Sequence, residues 1–337
     1  MKPSVKIVSI TFLSFVIVCS IAFSIPSAYT LHVTRAQNTV TDIEKREFPV
    51  TVDPKNKIII ESAEVNAFLQ SAASPLSAAV LGAGSSIGKL FVWVATSLAN
   101  APWYKSLSQV NGNFVTVTPD MRKEQVAEAF ASALKWNSVQ KKAFLTKSSN
   151  ATLPLTEGSF APGIYFVDRG TTPLDAQLLV NDRFESDILS RYSTSTAAVV
   201  PLEQALTIAS LIERETIGHD DMRLISGIIW NRLFANMNLQ LDASLQYAKA
   251  NKASTQSWWP KVVPSDKYLK SPFNTYINAG LPPTPISNPS AAAVVAALNP
   301  LNTPCLYYFH DTQGEFHCSD TYEGHVALLK KYYGRGK

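Results

Sequence analysis

The sequence has little cysteine and little charge. Its three cysteines, Cys19, Cys305 and Cys318, form no C-x-x-C pair and no Cys/His spacing of the kind that holds zinc. No metal or other cofactor is therefore expected. Charged residues are 17% of the chain against 46% hydrophobic, which excludes compositional disorder and leaves enough apolar side chains for one large or two smaller cores. The net charge is +4, and Lys2 and Lys6 supply two of those charges. The remainder is too weak to attract nucleic acid, and no Lys/Arg-rich run interleaved with aromatics exists, so no nucleic-acid partner is expected. No internal repeat is evident. The string GAGSSIGK at 82–89 is no phosphate loop: Ala83 stands where the opening glycine belongs, and Leu90 where a Mg²⁺-binding hydroxyl belongs.

One long run stands out against this background. Residues 7–30 carry no charge, and about 20 apolar residues cross a bilayer core. Lys2 and Lys6 precede the run, which favours a cytoplasmic N-terminus and an exported body. The expected order is a cytoplasmic tail (1–6), a transmembrane anchor (7–30) in the cytoplasmic or inner membrane, and an exported remainder. A cleaved signal peptide ending near Pro26-Ser27-Ala28 is the alternative, with the same compartment for the body. Cys19 falls within this run, and no lipobox-like pattern precedes it.

Residues 31–112 read as a juxtamembrane and atypical segment. It holds a β-like run at Lys57-Ile58-Ile59-Ile60, a helical pattern after it, and an apolar stretch at 75–103. From Asn113 the pattern becomes orderly. Phe114-Val115-Thr116-Val117 predicts a strand, and Val126, Ala129, Phe130, Ala133 and Leu134 recur at helical spacing. A second helix near 137–146 completes a β-α-α unit, and Gly163–Val167 predicts a short strand. Helices are expected at 173–191, 201–217, 221–235, 290–298 and 322–333, with a hairpin at 305–318. The class is α+β with a helical centre.

The segment from Pro201 to Thr216 opens on a proline that a first helical turn tolerates. Successive side chains turn by about 100°, so Glu213 and Glu215 point to nearly opposite sides and cannot share one substrate bond. Glu215 stacks over Leu211 and Ile212, with Ile208 a turn further back. A carboxyl over apolar neighbours is costly to ionise, which suits a general acid. From this pattern alone, glutamates solvated at a helix end and paired with Arg214 or Arg232 are the favoured account, because a lone glutamate on an apolar helix is a weak signal.

Ala209-Ser210-Leu211-Ile212-Glu213-Arg214-Glu215-Thr216 resembles the signature of the endolytic murein transglycosylases, the MltG (YceG-like) family. Further matches follow in order. They are Glu157-Gly158 with Pro162 and Tyr165, Ile229-Trp230-Asn231-Arg232-Leu233, and Met237 through Asp242 with Tyr247. Ser271-Pro272-Phe273-Asn274-Thr275-Tyr276, Gly280-Leu281-Pro282-Pro283 and Pro285 through Pro289 resemble the family's long loop. Tyr307-Tyr308-Phe309 and Thr321 through His325 resemble its hairpin and last helix. The resemblance covers about 113–337. It implies a LysM-like subdomain with a connecting strand at 113–170 and a larger mixed catalytic domain at 171–337.

What the resemblance implies chemically is cleavage of the MurNAc-β-1,4-GlcNAc bond of peptidoglycan without water. Glu215 is implied as the single acid/base, so no second carboxylate is required. Thr216, Gln240, Asp242, Tyr247, Asn274 and Tyr276 are implied along the substrate groove, although Asn and Asp often hold loops instead. Tyr247, Trp258 and Trp259 could stack on sugar faces or pack as loop anchors. Peptidoglycan strands, the membrane and cell-wall synthases are the implied partners. Two readings compete: a lysozyme-type hydrolase, with Asp242 as second carboxylate, and a non-catalytic, membrane-tethered glycan-binding or scaffold protein.

Three departures from the family stand out. Asp120 replaces a usual glycine. The family's Gly-x-His-x-Phe-Ser reads here Gly314-Glu315-Phe316-His317-Cys318-Ser319, which puts the role of that histidine in doubt. Residues 56–110 do not match clearly. A four-residue loop at 310–313 would set Cys305 directly opposite Cys318, where an oxidising compartment allows a disulfide.

Overall fold

The computed structural model describes residues 47–63, 65, 66, 97, 112–146, 156–217, 221–251 and 257–334. The expected anchor at 7–30, the GAGSSIGK string and the apolar stretch at 75–103, save position 97, lie outside the described residues. Among the described residues no helix is long and apolar enough to cross a membrane.

The fold is α+β. A two-residue pairing, β1 (Val52–Asp53) with β2 (Ile58–Ile59), comes first. A βααβ unit follows: β3 (Gly112–Val117), α1 (Lys123–Leu134), α2 (Ser138–Leu145) and β4 (Gly163–Asp168). β3 and β4 pair antiparallel, with Gly112 opposite Asp168 and Val117 opposite Gly163. A two-stranded sheet is marginal alone, so its stability comes from the helices on it. Phe130 of α1 is the hub, with ring centroids 5.1 Å from Phe144 and 5.6 Å from Tyr165. Val115, Val117, Val126 and Phe160 close this core.

α3 (Pro173–Asp187) links the two halves of the molecule. Ala176 and Val180 face the βααβ core, while Phe184 joins the larger core. Thr172 caps it through the Asp175 N–H, and Pro173 occupies its first turn. Then come a short 3₁₀ turn at Leu189–Arg191 and α4 (Thr194–Val199).

The larger core is built around α5 (Leu202–Glu215). Every residue from Ala205 to Ile212 is buried, as befits a helix enclosed on all sides. Around it lie α6 (Met222–Phe234), α7 (Asp242–Ala250) and the alanine-rich α8 (Ala291–Leu298). The fully buried Trp230 donates its indole N–H to the Ala297 carbonyl at 2.9 Å, tying α6 to α8. Gly227 makes a close approach there: a Cβ would lie 2.3 Å from the Leu301 carbonyl oxygen. Phe48 and Val52 also belong to this core, and the Thr51 N–H donates to Leu298. The described part of the 31–112 segment at 47–60 is thus folded onto the helical centre, although the sequence reads as a linker up to residue 50.

The C-terminal hairpin pairs β5 (Tyr307–His310) with β6 (Phe316–Ser319), and α9 (Tyr322–Tyr333) packs behind it. The expected register is corrected. Tyr308, not Cys305, stands opposite Cys318, and the loop spans 311–315. The Asp311 carboxylate accepts from the Gln313 and Glu315 N–H groups, and Gly314 takes φ +86°, so a longer turn is stable here. Cys305 precedes the strand and still reaches Cys318 in a disulfide, with Cα atoms 5.8 Å apart. Two helices that the sequence reading does not name, α4 and α7, complete the fold.

Candidate active site

Glu215 is the last residue of α5. Its carboxyl meets two other elements there: the Tyr308 hydroxyl of β5 donates to Oε2 at 3.0 Å, and the Ala243 N–H in the first turn of α7 points at Oε1 from 3.4 Å. The residue is half-buried, and burial pushes its pKa above the usual carboxylate range. The Tyr308 and Ala243 hydrogen bonds oppose that rise. The charge of Asp242 adds to it, and Arg214 pulls against it. A helix C-terminus also disfavours an anion, in the same direction as burial. Among the described residues no Lys, Arg or His lies within ion-pair distance of this carboxyl. Such a group holds its proton more tightly than an ordinary carboxyl, which is what a general acid requires.

Glu213 turns the other way, as the helix geometry requires. Its Oε2 accepts from the Ser290 N–H at 3.0 Å and from the Ser290 hydroxyl at 2.7 Å, at the start of α8. The two arginines are occupied elsewhere. Arg214 pairs with Asp120 at 2.8 Å and lies 3.9 Å over the Trp259 ring. Arg232 donates to the Leu306 carbonyl at 2.7 Å and to that of Leu239, holding the hairpin against the segment before α7. Solvated, arginine-paired glutamates are thus not what the fold builds.

The other expected site residues divide into two groups. Asp242 is exposed beside Glu215, and the Tyr276 hydroxyl donates to it at 2.7 Å. Burial followed by the hydrogen bond to Asp242 pushes the Tyr276 phenol up, so it stays a donor. Gln240 is exposed at φ +52°, between the buried Leu239 and Leu241. A backbone conformation costly for glutamine is held there by the bond from its N–H to the Thr275 carbonyl. Thr216 follows Glu215 as the half-buried cap of α5.

Asn274 and Tyr247 are corrected. Asn274 has no exposed surface. Its amide donates to the Lys267 and Leu269 carbonyls and accepts from the Tyr276 N–H, so it braces the loop and presents nothing to a substrate. Tyr247 is buried against Phe273, with the Arg122 guanidinium 4.1 Å over its ring, so its faces are taken. Trp259 is half-buried under Arg214, whereas Trp258 keeps 41% of its surface exposed.

Tyr308 enters the sequence reading only within a hairpin motif and not as a site residue. The signal was present: Tyr308 and His310 alternate on one strand, and a hairpin packed on the end of α5 must turn that face inward. Two of the three departures have a structural reason. Phe316, at the family's histidine position, stacks on Tyr308 with centroids 5.6 Å apart. His317 points away, to Asp311 at 2.8 Å and Tyr332. Asp120 takes φ +73°, the left-handed conformation that makes glycine usual there and that aspartate tolerates better than most residues.

One partly buried carboxyl at a helix end, held by a tyrosine and flanked by a second Tyr–Asp pair, is the candidate site of this α+β scaffold. The chain belongs to the YceG-like family, whose pattern matches residues 94–331. It is 29% identical over 228 residues to an endolytic murein transglycosylase of Streptococcus pneumoniae serotype 2 (strain D39 / NCTC 7466), covering 66% of this chain. It is 30% identical over 239 residues to one from Bacillus subtilis (strain 168), covering 65% of this chain. The chain spans 40% of the length of the first relative and 64% of the second. A crystal structure of a yceG-like protein from Listeria monocytogenes aligns with TM-score 0.52 at 26% identity, over 64% of this chain and 75% of that one.

Proposed function

We propose that this protein is a membrane-anchored lytic transglycosylase that cuts within peptidoglycan glycan strands and leaves 1,6-anhydro-MurNAc ends. The observation that carries the reading is Glu215: partly buried, unpaired by any described cation, and gripped on Oε2 by Tyr308. In this reading the protonated carboxyl donates to the glycosidic oxygen between MurNAc and GlcNAc as the bond to C1 breaks. The carboxylate so formed takes the proton of the C6 hydroxyl of the same MurNAc while that oxygen bonds to C1. The proton count closes without water, so one carboxyl suffices. The names of the relatives support the substrate class.

Gln240, Asp242, Thr216 and Tyr276 line the groove in this reading, with Asp242 keeping the Tyr276 hydroxyl oriented. The βααβ unit acts as a LysM-like glycan contact. The uncharged run at 7–30 behind Lys2 and Lys6 supports a single span with the catalytic domain on the exported side, and the Cys305–Cys318 disulfide suits that compartment. Cell-wall synthases are the partners such a placement favours.

The test is digestion of purified glycan strands by wild type and Glu215→Gln, with product ends read by mass spectrometry. Anhydro ends, one water lighter than reducing ends, are expected from wild type and are absent from the variant. Reducing ends would instead assign Asp242, the carboxylate beside Glu215, the second role of a hydrolase. Unchanged function in the variant would leave a glycan-binding or scaffold protein.

A further inference from the structure

Arg214 immediately precedes Glu215; adjacent helical side chains diverge by about 100°, but Glu215 ends its helix and the Arg214 charge already acts on its carboxyl. An arginine paired with Glu215 would hold it ionised and unable to donate. Instead the guanidinium is drawn the other way. Nη1 donates to the Asp120 carboxylate at 2.8 Å, Nη2 reaches Gln246 Oε1 at 3.4 Å, and the ring of Trp259 lies 3.9 Å beneath. Nε is buried and makes no hydrogen bond, so among the described residues Asp120 is the only charged partner of Arg214.

Asp120 is itself fixed. It lies in the turn between β3 and α1, where its N–H donates to the Asn288 carbonyl at 3.0 Å and the Asn288 N–H donates to the Met121 carbonyl at 2.9 Å. A glycine would meet the φ of +73° at least as well, so the turn alone does not call for a carboxylate here. We propose that Asp120 is a positioning residue for Glu215: by holding Arg214 across the seam to the βααβ unit, it keeps that cation from pairing with the acid/base carboxyl. The inference rests on the proposed role of Glu215, and it makes the βααβ unit part of the acid's environment.

Glu215 faces Tyr308 from β5, Asp242 and the Ala243 N–H from α7, Arg214 on its own helix, Arg232 from α6 and Tyr276 from the long loop. Arg214 already pulls the Glu215 proton affinity down, and burial of Asp120 works against its own ionisation while Arg214 favours it. Releasing Arg214 therefore moves Glu215 in one direction, downward.

The experiment titrates Glu215 in the full chain carrying ¹³Cδ-glutamate by NMR, the resonance assigned by its loss in Glu215→Gln. Asp120→Asn keeps a hydrogen-bond acceptor and a residue tolerant of the left-handed turn while removing the charge. It is expected to lower the Glu215 midpoint by about one pH unit, the order of an arginine's effect on a neighbouring carboxylate. Asp120→Gly should do the same, and adding Arg214→Gln to Asp120→Asn should bring the midpoint back to the wild-type value or above. With glycan strands as substrate, the basic limb of the pH–rate profile should follow the same order. Coincident midpoints in wild type and Asp120→Asn overturn the inference. Absence of anhydro products from wild type overturns the reading of function, while the titration still decides the role of Asp120.

Discussion

The Tyr308 hydroxyl holds one oxygen of Glu215, Oε2, at 3.0 Å, while Oε1 meets only a long contact from the Ala243 N–H. The grip fixes the direction of a carboxyl that must deliver a proton to one atom and accept one from another. It also offsets part of the upward push of burial. Tyr308→Phe keeps the ring on Phe316 and removes only the hydroxyl. The Glu215 pKa is expected to rise, moving the basic limb of kcat to higher pH. At the optimum, kcat should fall about 10- to 100-fold for a misoriented acid, with KM little changed. A pH–rate profile checks both; an unchanged profile would make Tyr308 a packing residue.

Glu213 offers the contrasting test on the same helix. Its carboxylate receives two hydrogen bonds from Ser290, and the Ser290 hydroxyl in turn accepts from the Ala293 N–H at the start of α8. Glu213→Ala is expected to cost about 2 kcal/mol of stability through these charge-assisted bonds. The Glu215 titration should stay where it is. Urea denaturation measures the first, and the NMR midpoint the second.

Glu157 gives the fold a pH dependence. It is buried between α1 and Tyr247, where burial and then the like charge of Glu124 push it up to about 8, against the Lys123 N–H bond and the charges of Arg122 and Lys123. In the unfolded chain it ionises near the ordinary 4.5. Between those values the folded protein keeps a proton that the unfolded chain has lost. Stability therefore falls as pH rises through this window, is unaffected below it, and levels off above it. The loss has an upper limit of about 5 kcal/mol at ~1.4 kcal/mol per unit. Glu157→Gln, which still accepts from Lys123, should flatten this slope in urea melts at pH 5 and pH 8.5.

Much of this site was legible in the sequence because helical spacing is rigid. A two-residue offset on α5 suffices to send Glu213 to Ser290 and Glu215 to Tyr308 and the start of α7. The βααβ core was equally legible, since Val126, Phe130 and their neighbours recur at helical spacing. Contacts between distant segments were not. Whether Asn274 faces a sugar or its own loop depends on the Lys267 and Leu269 carbonyls, and no local pattern encodes those. The hairpin register failed for a related reason. Asp311 stabilises a turn one residue longer than expected, and period-two alternation alone does not fix where a loop begins. α7 is short and starts behind Leu241, which offers no side-chain cap, so no local signal marks its beginning.

The disulfide connects stability to chemistry. Cys318 stands opposite Tyr308 in the β5–β6 ladder, so the bond to Cys305 anchors the strand pair that presents the tyrosine to Glu215. Closing a loop with a sequence separation of 13 is worth about 3 kcal/mol by chain entropy. Replacing both cysteines by serine is expected to lower the unfolding midpoint accordingly. It should also lower kcat, because hairpin motion releases Oε2 of Glu215. The loss of kcat should be far smaller in a Tyr308→Phe background, where there is no hydroxyl left to misplace. Full additivity of the two changes would show that the disulfide stabilises the hairpin without directing the tyrosine.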